Sequence, residues 1–236
     1  LFLFYTVYWL FLQNETFFRL NRFYMLATLL ISLAIPLIKI NIGQTPENAV
    51  YYNILDTVVV RSDGIKMAIA QKISSLHILL WVYFAGCIVF SFLLLFQLFR
   101  ILLIIRQSKV QEHQDFTLVI PEKETAPFSF FHYVFINPAG YKNSEKEKII
   151  HHELTHVKHF HTLDLLIMEV LSILLWFNPF VWMYKRSLKE IHEFQADHEV
   201  LKQGNDAVDY KNLIFSQSAG FSLRLSNSLN YSLTKK

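Results

Sequence analysis

The stretch IIHHELTHVKHFHTLD, residues 149–164, holds the side chains whose types and spacing could do chemistry. Within it, His152, Glu153 and His156 form the pattern His-Glu-x-x-His. Positions i and i+4 of an α-helix share one face, so the two imidazoles can bind one metal ion. Glu153 lies beside them, where it could take a proton from water at the metal. Zinc suits two nitrogen ligands with a carboxylate, and it lowers the pKa of the water it binds to about 7.

A histidine-rich amphipathic surface is the competing interpretation, since seven of the ten histidines lie between residues 151 and 198. Chance would produce the motif about 0.02 times in a chain of this composition. A second pattern favours a metal site, because Glu193 and Asp197 are one helical turn apart in KEIHEFQADHEVL. We predict that Glu193 is the third, carboxylate ligand. We predict that Asp197 holds a ligand histidine in its metal-binding tautomer. Alone, this pair would also fit an ordinary charged helix face.

The segment LDLLIMEVLSILLWFNPFVWMY, residues 163–184, decides whether these side chains can meet. As a single membrane crossing it would leave Glu193 about 30 Å from the two histidines. The pair Asn178-Pro179 permits a turn instead, because proline ends one helix and fits the first turn of the next. A helix leaving the motif would travel about 31 Å, and a second one would return about 21 Å. We therefore predict an apolar helical hairpin that dips into the membrane or packs against the domain, with Glu169 facing protein or the interface.

Composition indicates an integral membrane protein. Of the 236 residues, 53% are hydrophobic and only 17% are charged, and the mean hydropathy is +0.30, which is unusual for a soluble domain. The net charge of +3 gives no indication of nucleic-acid binding. The single cysteine, Cys87, excludes a disulfide framework and a cysteine-based zinc site. Because the sequence starts within an apolar run at Leu1 and stops at the pair Lys235-Lys236, we expect a fragment that lacks the start of its first span and a C-terminal domain.

The predicted architecture is a mainly α multi-pass membrane protein with three N-terminal transmembrane helices and a small α+β domain. The third apolar run is the longest, about 45 Å as a helix, and should project beyond the hydrocarbon. The predicted units are residues 1–40 with a truncated first span and a second span, 41–75 as an extracytoplasmic loop, 76–106 as the third span, and 107–236 as the domain that carries the metal motif and the hairpin 163–184.

The basic residues of the short connections give the orientation. Arg19 and Arg22 lie in the predicted turn 13–22 after the first run, and Arg100 and Arg106 lie at the end of the third. By the positive-inside rule, these ends and the domain that follows them are cytoplasmic.

Residues beyond 107 change in character. FTLVIP (116–121) and PFSFFHYVFI (127–136) are β-branched and aromatic runs bounded by prolines, as strands are. The polar linker 107–115 has a flexible composition. Asn143 or Ser144 is predicted to cap the helix that carries the metal motif.

Three stretches, HHELTHVKHFHTLD, WFNPFVW and HEFQADHEVL, resemble the BlaR/MecR-type membrane zinc metallopeptidases of the gluzincin class. The upstream ETFFRLNRFYMLATLLISLAIPLI is similar to the N-terminal spans of members from Bacteroidetes-type bacteria. The resemblance covers nearly the whole chain and is weak across 41–75. It implies a zinc endopeptidase at the cytoplasmic face of the bacterial inner membrane. Zinc would be held by His152, His156 and Glu193, with Glu153 as general base.

The resemblance also implies a partner. In characterised relatives an extracellular penicillin-binding sensor follows, and activation leads to loss of a DNA-bound repressor. We therefore expect a protein substrate, either a winged-helix repressor or the chain itself, besides the lipid bilayer and without direct nucleic-acid contact. This sequence contains no such sensor, so antibiotic sensing is not inferred. Two alternatives are a housekeeping membrane protease and a catalytically silent receptor or transporter component, which would not need Glu153.

Two weaker expectations concern the surroundings of the site. PFSFF (127–131) is either an edge strand that pairs with an extended substrate or a plain packed strand. Four further histidines lie near the motif in sequence, and one of them could stabilise an oxyanion. Each is expected to be a surface residue: His159, His161, His192 and His198.

Overall fold

The computed structural model describes residues 1–38, 62–123, 125–138 and 141–215, without the side chains of 62–75. The described chain is mainly helical and has one small sheet. The helices are α1 (Phe2–Val7), α2 (Phe18–Ala34), α3 (Ser62–Gln107), α4 (Asn143–Lys158), α5 (His161–Leu174), α6 (Pro179–Lys202) and α7 (207–215), and the strands are β1 (Lys109–Glu112), β2 (Thr117–Ile120), β3 (Phe128–Phe130) and β4 (Tyr133–Phe135).

Among the described residues, two helical stretches are long and apolar enough to cross a membrane, Phe18–Leu37 and Leu76–Gln107. The first apolar run continues from α1 into a π-helical turn, and at Phe2–Leu12 it is shorter than a span. The predicted first span therefore stays a prediction. The predicted turn 13–22 is shorter than expected, because α2 begins at Phe18 and holds Arg19 and Arg22 in its first two turns.

Helix α3 is longer than the sequence suggested. It starts at Ser62, so the last part of the predicted loop 41–75 is helical, and residues 39–61 lie outside the described ranges. Its apolar side chains are largely exposed, as a lipid-facing helix requires. It contacts α5 and the turn that follows α5. The Tyr83 hydroxyl donates to the Leu174 carbonyl at 3.0 Å, and the Trp176 indole N–H donates to the Tyr83 carbonyl at 3.3 Å.

The sheet has the order β1-β2-β4-β3. The run 127–136 folds as a tight hairpin of β3 and β4, whose turn places Phe131 at a φ of 50°. Strand β3 lies at a sheet edge, which fits the first of the two interpretations of PFSFF, and the pairing of this edge with a substrate stays a prediction. The linker 107–115 is not simply flexible: it contains β1, which pairs with β2 in antiparallel register.

The predicted hairpin is present, with one difference. Helix α5 ends at Leu174 and α6 begins at Pro179, while the Asn178 side chain accepts a hydrogen bond from the Phe180 N–H at 3.0 Å. This is an N-cap followed by proline at the first helical position. However, no single helix runs from the metal motif into the hairpin. The chain breaks at Phe160, whose φ of 55° is left-handed, and α5 starts anew at His161.

Two clusters of buried side chains hold these elements together. One lies among the first two helices and the hairpin, and the other lies between the sheet and helices α4, α6 and α7. Helix α6 contributes to both clusters, through Leu188 and Val200 for example. Because α6 also carries Glu193 and Asp197, packing at both of its ends fixes where these carboxylates lie.

Candidate metal centre

Helix α4 presents the His-Glu-x-x-His motif on a buried face. Its first turn is stabilised by Glu145, whose carboxylate accepts a hydrogen bond from the Lys142 backbone N–H at 3.0 Å. The N-cap is thus Lys142, one residue before the predicted Asn143 and two before the predicted Ser144. The helical period turns His152 and Glu153 inward, where they are 8% and 7% exposed.

Three possible ligand atoms meet at this face. The Nε2 atoms of His152 and His156 are 3.2 Å apart. One carboxylate oxygen of Glu193 lies 3.4 Å from the first of these nitrogens, and the other lies 4.0 Å from the second. Ligands bound at about 2.0–2.1 Å in tetrahedral geometry are separated by about 3.3 Å. The arrangement can therefore hold one metal ion with little movement of the side chains.

The two candidate ligand histidines have different hydrogen-bond partners at Nδ1. At His152, Nδ1 lies 3.2 Å from Asp197 Oδ1 and 2.8 Å from the Tyr210 hydroxyl, which itself donates to Asp197 at 2.8 Å. Burial disfavours the charged imidazole, but the hydrogen bonds with Asp197 and Glu193 outweigh burial and raise the pKa of His152 to about 10. In the absence of metal, a proton therefore occupies this imidazole at neutral pH.

At His156, Nδ1 lies 2.7 Å from His161 Nδ1, and no carboxylate takes that place. Burial, together with the charge of His152, lowers the pKa of His156 to about 4. His161 and His192 are only 1% and 2% exposed, so the expectation that they are surface residues was wrong. They are buried where α5 and α6 pack together, with their rings stacked on each other. His198 is exposed, as expected.

Glu153 lies deep in the same group. Burial raises the pKa of its carboxyl to about 7, although the charge of His152 and a hydrogen bond from Ser129 act in the opposite direction. A carboxyl with a pKa near neutrality can both accept and return a proton. Ser129 belongs to β3, so the edge strand directly contacts the candidate base.

A cavity of about 620 Å³ opens over these groups. Its walls include Phe128 and Ser129 of β3, and Leu165 of α5. Lys189 also lines it, one helical turn before Glu193 on α6.

Three residues of the site were not predicted from the sequence. Tyr210 follows the His-Glu-x-x-His motif by more than 50 residues, in a helix started by Asp206, whose side chain accepts from the Val208 and Asp209 N–H groups at 2.7 and 3.1 Å. The sequence around Asp206 indicates the start of a helix, but no pattern in it indicates that Tyr210 contacts His152. Ser129 and Lys189 likewise become relevant only when β3 and α6 lie beside α4.

This combination of a helical His-Glu-x-x-His face, a carboxylate from a second helix and an edge strand over a cleft defines a metallopeptidase-type site. A family model described as BlaR1 peptidase M56 matches residues 9–232. The chain belongs to this peptidase family, and the resemblance seen in the sequence is confirmed.

A particular relative is similar to part of the chain. Regulatory protein BlaR1 of Staphylococcus aureus is 35% identical over 96 residues, which are 37% of this chain and 16% of that protein. The chain thus matches only a small part of this curated relative. The expected kinship with members from Bacteroidetes-type bacteria stays a prediction.

Proposed function

We propose that this chain is a membrane-embedded zinc endopeptidase that acts in signal transduction by cutting a cytoplasmic protein. The observation that carries the proposal is the triangle of His152, His156 and Glu193 ligand atoms, all within 4.8 Å of one another, with buried Glu153 adjoining it. A receptor component without catalysis would have no need to bury a carboxylate at a metal site, because burial of an ionisable group is costly.

Two nitrogens and a carboxylate form the donor set that zinc favours in hydrolytic sites, and zinc there supplies a Lewis acid and activates water. The protein residues would divide the remaining work. Glu153 would accept the proton of the attacking water and pass it to the leaving amine. Asp197 and Tyr210 would fix the ring of His152 through its Nδ1.

The substrate would bind as an extended strand along the edge of β3. Backbone groups at a sheet edge can hydrogen-bond an added strand, which explains affinity for a protein chain of varied sequence. Such a strand would cross the cleft between β3 and α6. The exposed Lys189 lies where it could bind a substrate carbonyl oxygen or an acidic side chain.

The proposed topology keeps the predicted units: spans within 1–40 and 76–106, an extracytoplasmic loop at 41–75, and a cytoplasmic-face peptidase domain at 107–236. The hairpin 163–184 would reach the bilayer, where its Glu169 is neutralised by Lys185 at 2.6 Å. The site would then act at the cytoplasmic side of the inner membrane. Its substrates would be a winged-helix repressor or the chain itself.

The first experiment uses the full chain purified in detergent. We expect about one zinc per chain by elemental analysis, since three protein ligands leave one position for water. Glu153→Ala should retain zinc and lose hydrolysis of a reporter protein, whereas His156→Ala should lose both. Hydrolysis by Glu153→Ala would contradict the assigned base. A wild-type chain that binds zinc without hydrolysing any protein would favour the silent receptor component.

A second experiment separates signalling from housekeeping. Wild type and Glu153→Ala are expressed beside the product of a neighbouring repressor gene, and both proteins are followed by immunoblot under envelope stress. Signalling requires a repressor or self-cleavage fragment that depends on Glu153. If neither fragment forms while unrelated membrane proteins are degraded, the housekeeping alternative is the correct one.

A further inference from the structure

A buried row of polar side chains leads from the candidate ligand His156 to α2, one of two helices in the described part of the chain that are apolar enough to cross a membrane. The hydrolytic roles assigned above do not use it. Its members lie on four different helices and are largely hidden from solvent: His161 is 1%, His192 2% and Asp164 5% exposed. A buried polar side chain costs free energy unless it is hydrogen-bonded, so the partners of these side chains indicate what each one does.

The contact between His156 and His161 determines which ring nitrogen of each histidine donates a hydrogen bond. If His156 holds metal through Nε2, its proton lies on Nδ1, which therefore donates to His161 Nδ1 at 2.7 Å. His161 must then hold its own proton on Nε2, and this nitrogen faces the Gln195 side-chain oxygen at 3.3 Å. Both bonds are satisfied by one pair of tautomers. A partner of this kind fixes the orientation of a ligand ring.

His161 is in turn positioned by His192 and Asp164. Its ring stacks on His192 with centroids 3.9 Å apart and planes 6° from parallel. His192 donates from Nε2 to Asp164 at 3.0 Å, so the carboxylate determines how the stacked ring lies.

The same carboxylate connects the row to α2. Asp164 accepts from Arg22 Nε at 2.6 Å, and Arg22 Nη2 donates to the His159 carbonyl at 2.7 Å. Arg22 therefore binds one residue before the break between α4 and α5, His159, and one after it, Asp164. A shift of α2 would leave the carboxylate buried without its cation, which is strongly unfavourable. The row has discrete partners at each step and lacks a flexible surface link.

We infer that His161 is a positioning residue for the metal ligand His156, and that Arg22 couples the seating of α2 to the geometry of the metal centre through Asp164 and His192. The inference rests on the proposed function in so far as the site holds a metal ion. Through these contacts, a movement of α2 would change the geometry of the metal centre on α4 and α6.

The first test compares His161→Phe, which keeps a ring but cannot accept a hydrogen bond, with His161→Asn, whose side-chain oxygen can take the position of Nδ1. Zn²⁺ affinity of the detergent-solubilised full chain is measured by chelator competition, and Co²⁺ absorption reports ligand geometry. We expect His161→Phe to weaken Zn²⁺ binding about 10- to 100-fold and change the Co²⁺ spectrum. His161→Asn should recover most of both. His198→Ala, which alters an exposed histidine of α6, is the control.

The link to α2 is tested with a double-mutant cycle of Arg22→Gln and Asp164→Asn, again on Zn²⁺ affinity. We expect each single change to weaken binding and the double variant to be little worse than either, because both remove the same connection. Arg19→Gln, one turn earlier on α2 with a side chain 75% exposed, should bind normally. Additive effects, or Zn²⁺ affinity unchanged by either single substitution, would overturn the coupling.

Failure of this inference is distinguishable from failure of the proposed function. Wild-type affinity and an unaltered Co²⁺ spectrum in His161→Phe would refute the positioning role, even in an active peptidase. Conversely, a wild-type chain without hydrolysis would refute the peptidase while leaving metal affinity as a complete test of the row.

Discussion

The two candidate ligand histidines differ in the charge behind them. His152 has Asp197 and the Tyr210 hydroxyl at its Nδ1, whereas His156 has the neutral ring of His161. An anion behind an imidazole stabilises its protonated form before metal arrives and increases its basicity as a ligand afterwards. A neutral partner fixes the ring without binding an extra proton. The site can thus combine one strongly basic ligand with one that is already neutral.

This difference predicts proton release on metal binding. Because the pKa of His152 is raised to about 10, its imidazole is charged at pH 7 and must lose that proton to coordinate. The chain should therefore release about one proton per Zn²⁺ bound at pH 7, and apparent affinity should rise as pH increases toward that pKa. Calorimetry in buffers of different ionisation enthalpy measures the proton count.

Asp197→Asn supplies the comparison, since it removes the main hydrogen bond that raises this pKa. Fewer protons should be released, and the affinity should depend less on pH between about 7 and 9. Equal proton release by Asp197→Asn and wild type would show that Asp197 does not hold the proton on His152. Asp209→Asn, an exposed carboxylate on α7, should behave as wild type.

At the scale of elements, the hairpin of α5 and α6 is the structure on which the site depends. Asn178 and Pro179 start α6, and the left-handed Phe160 starts α5 in a new direction. Helix α3 packs against the end of α5 and the turn after it, where Gly86 faces Trp176. A Cβ at this position would overlap the indole ring. A side chain at position 86 would therefore force the Trp176 ring to move.

Gly86→Leu should destabilise the chain in detergent by about 1–3 kcal/mol, the usual cost of overpacking, although glycine itself is a poor helix former. Thermal unfolding is the measurement. Ala85→Leu is the matched control, since Ala85 is exposed on the same helix turn. If both variants unfold at the same temperature, the contact between α3 and the hairpin does not stabilise the fold.

At the scale of the whole molecule, the fold joins apolar helices to a domain that has its own sheet-based core. The candidate ligands on α4 and α6 can meet only if the hairpin between them returns to the side from which it started, without crossing a membrane. Helix α6 packs against α2, α4 and α5, which keeps its Glu193 beside the motif. This arrangement gives a prediction about topology that does not depend on activity.

Cysteines introduced at the exposed positions Lys142 and Lys202, in a Cys87→Ser background, should show the same labelling by a membrane-impermeant thiol reagent. We expect both to be protected in intact cells and labelled in inverted vesicles. Opposite labelling would mean that residues 163–184 cross the membrane, and the metal centre could not form. Labelling of both sites in intact cells would place the domain outside and contradict the cytoplasmic assignment.

Local patterns in the sequence were sufficient for part of this description. The helical spacing of His152 and His156 predicts a shared face, and Asn178-Pro179 predicts the turn that brings Glu193 back. The proline-bounded runs predict strands where β2, β3 and β4 are found. These predictions succeed because they depend on the period of a helix, the conformation of proline and side-chain type, all of which act over a few residues.

Only the tertiary structure decided the surroundings of the metal ligands. The helix break at Phe160 and the hairpin turn at Phe131 carry no glycine or proline signal of their own. Packing selects these backbone conformations, because they let apolar faces of distant segments be buried together. The contacts of Tyr210 with His152, and of Arg22 with Asp164, join residues more than 50 positions apart. Such pairings arise from the way helices pack, and no local pattern in the chain encodes them.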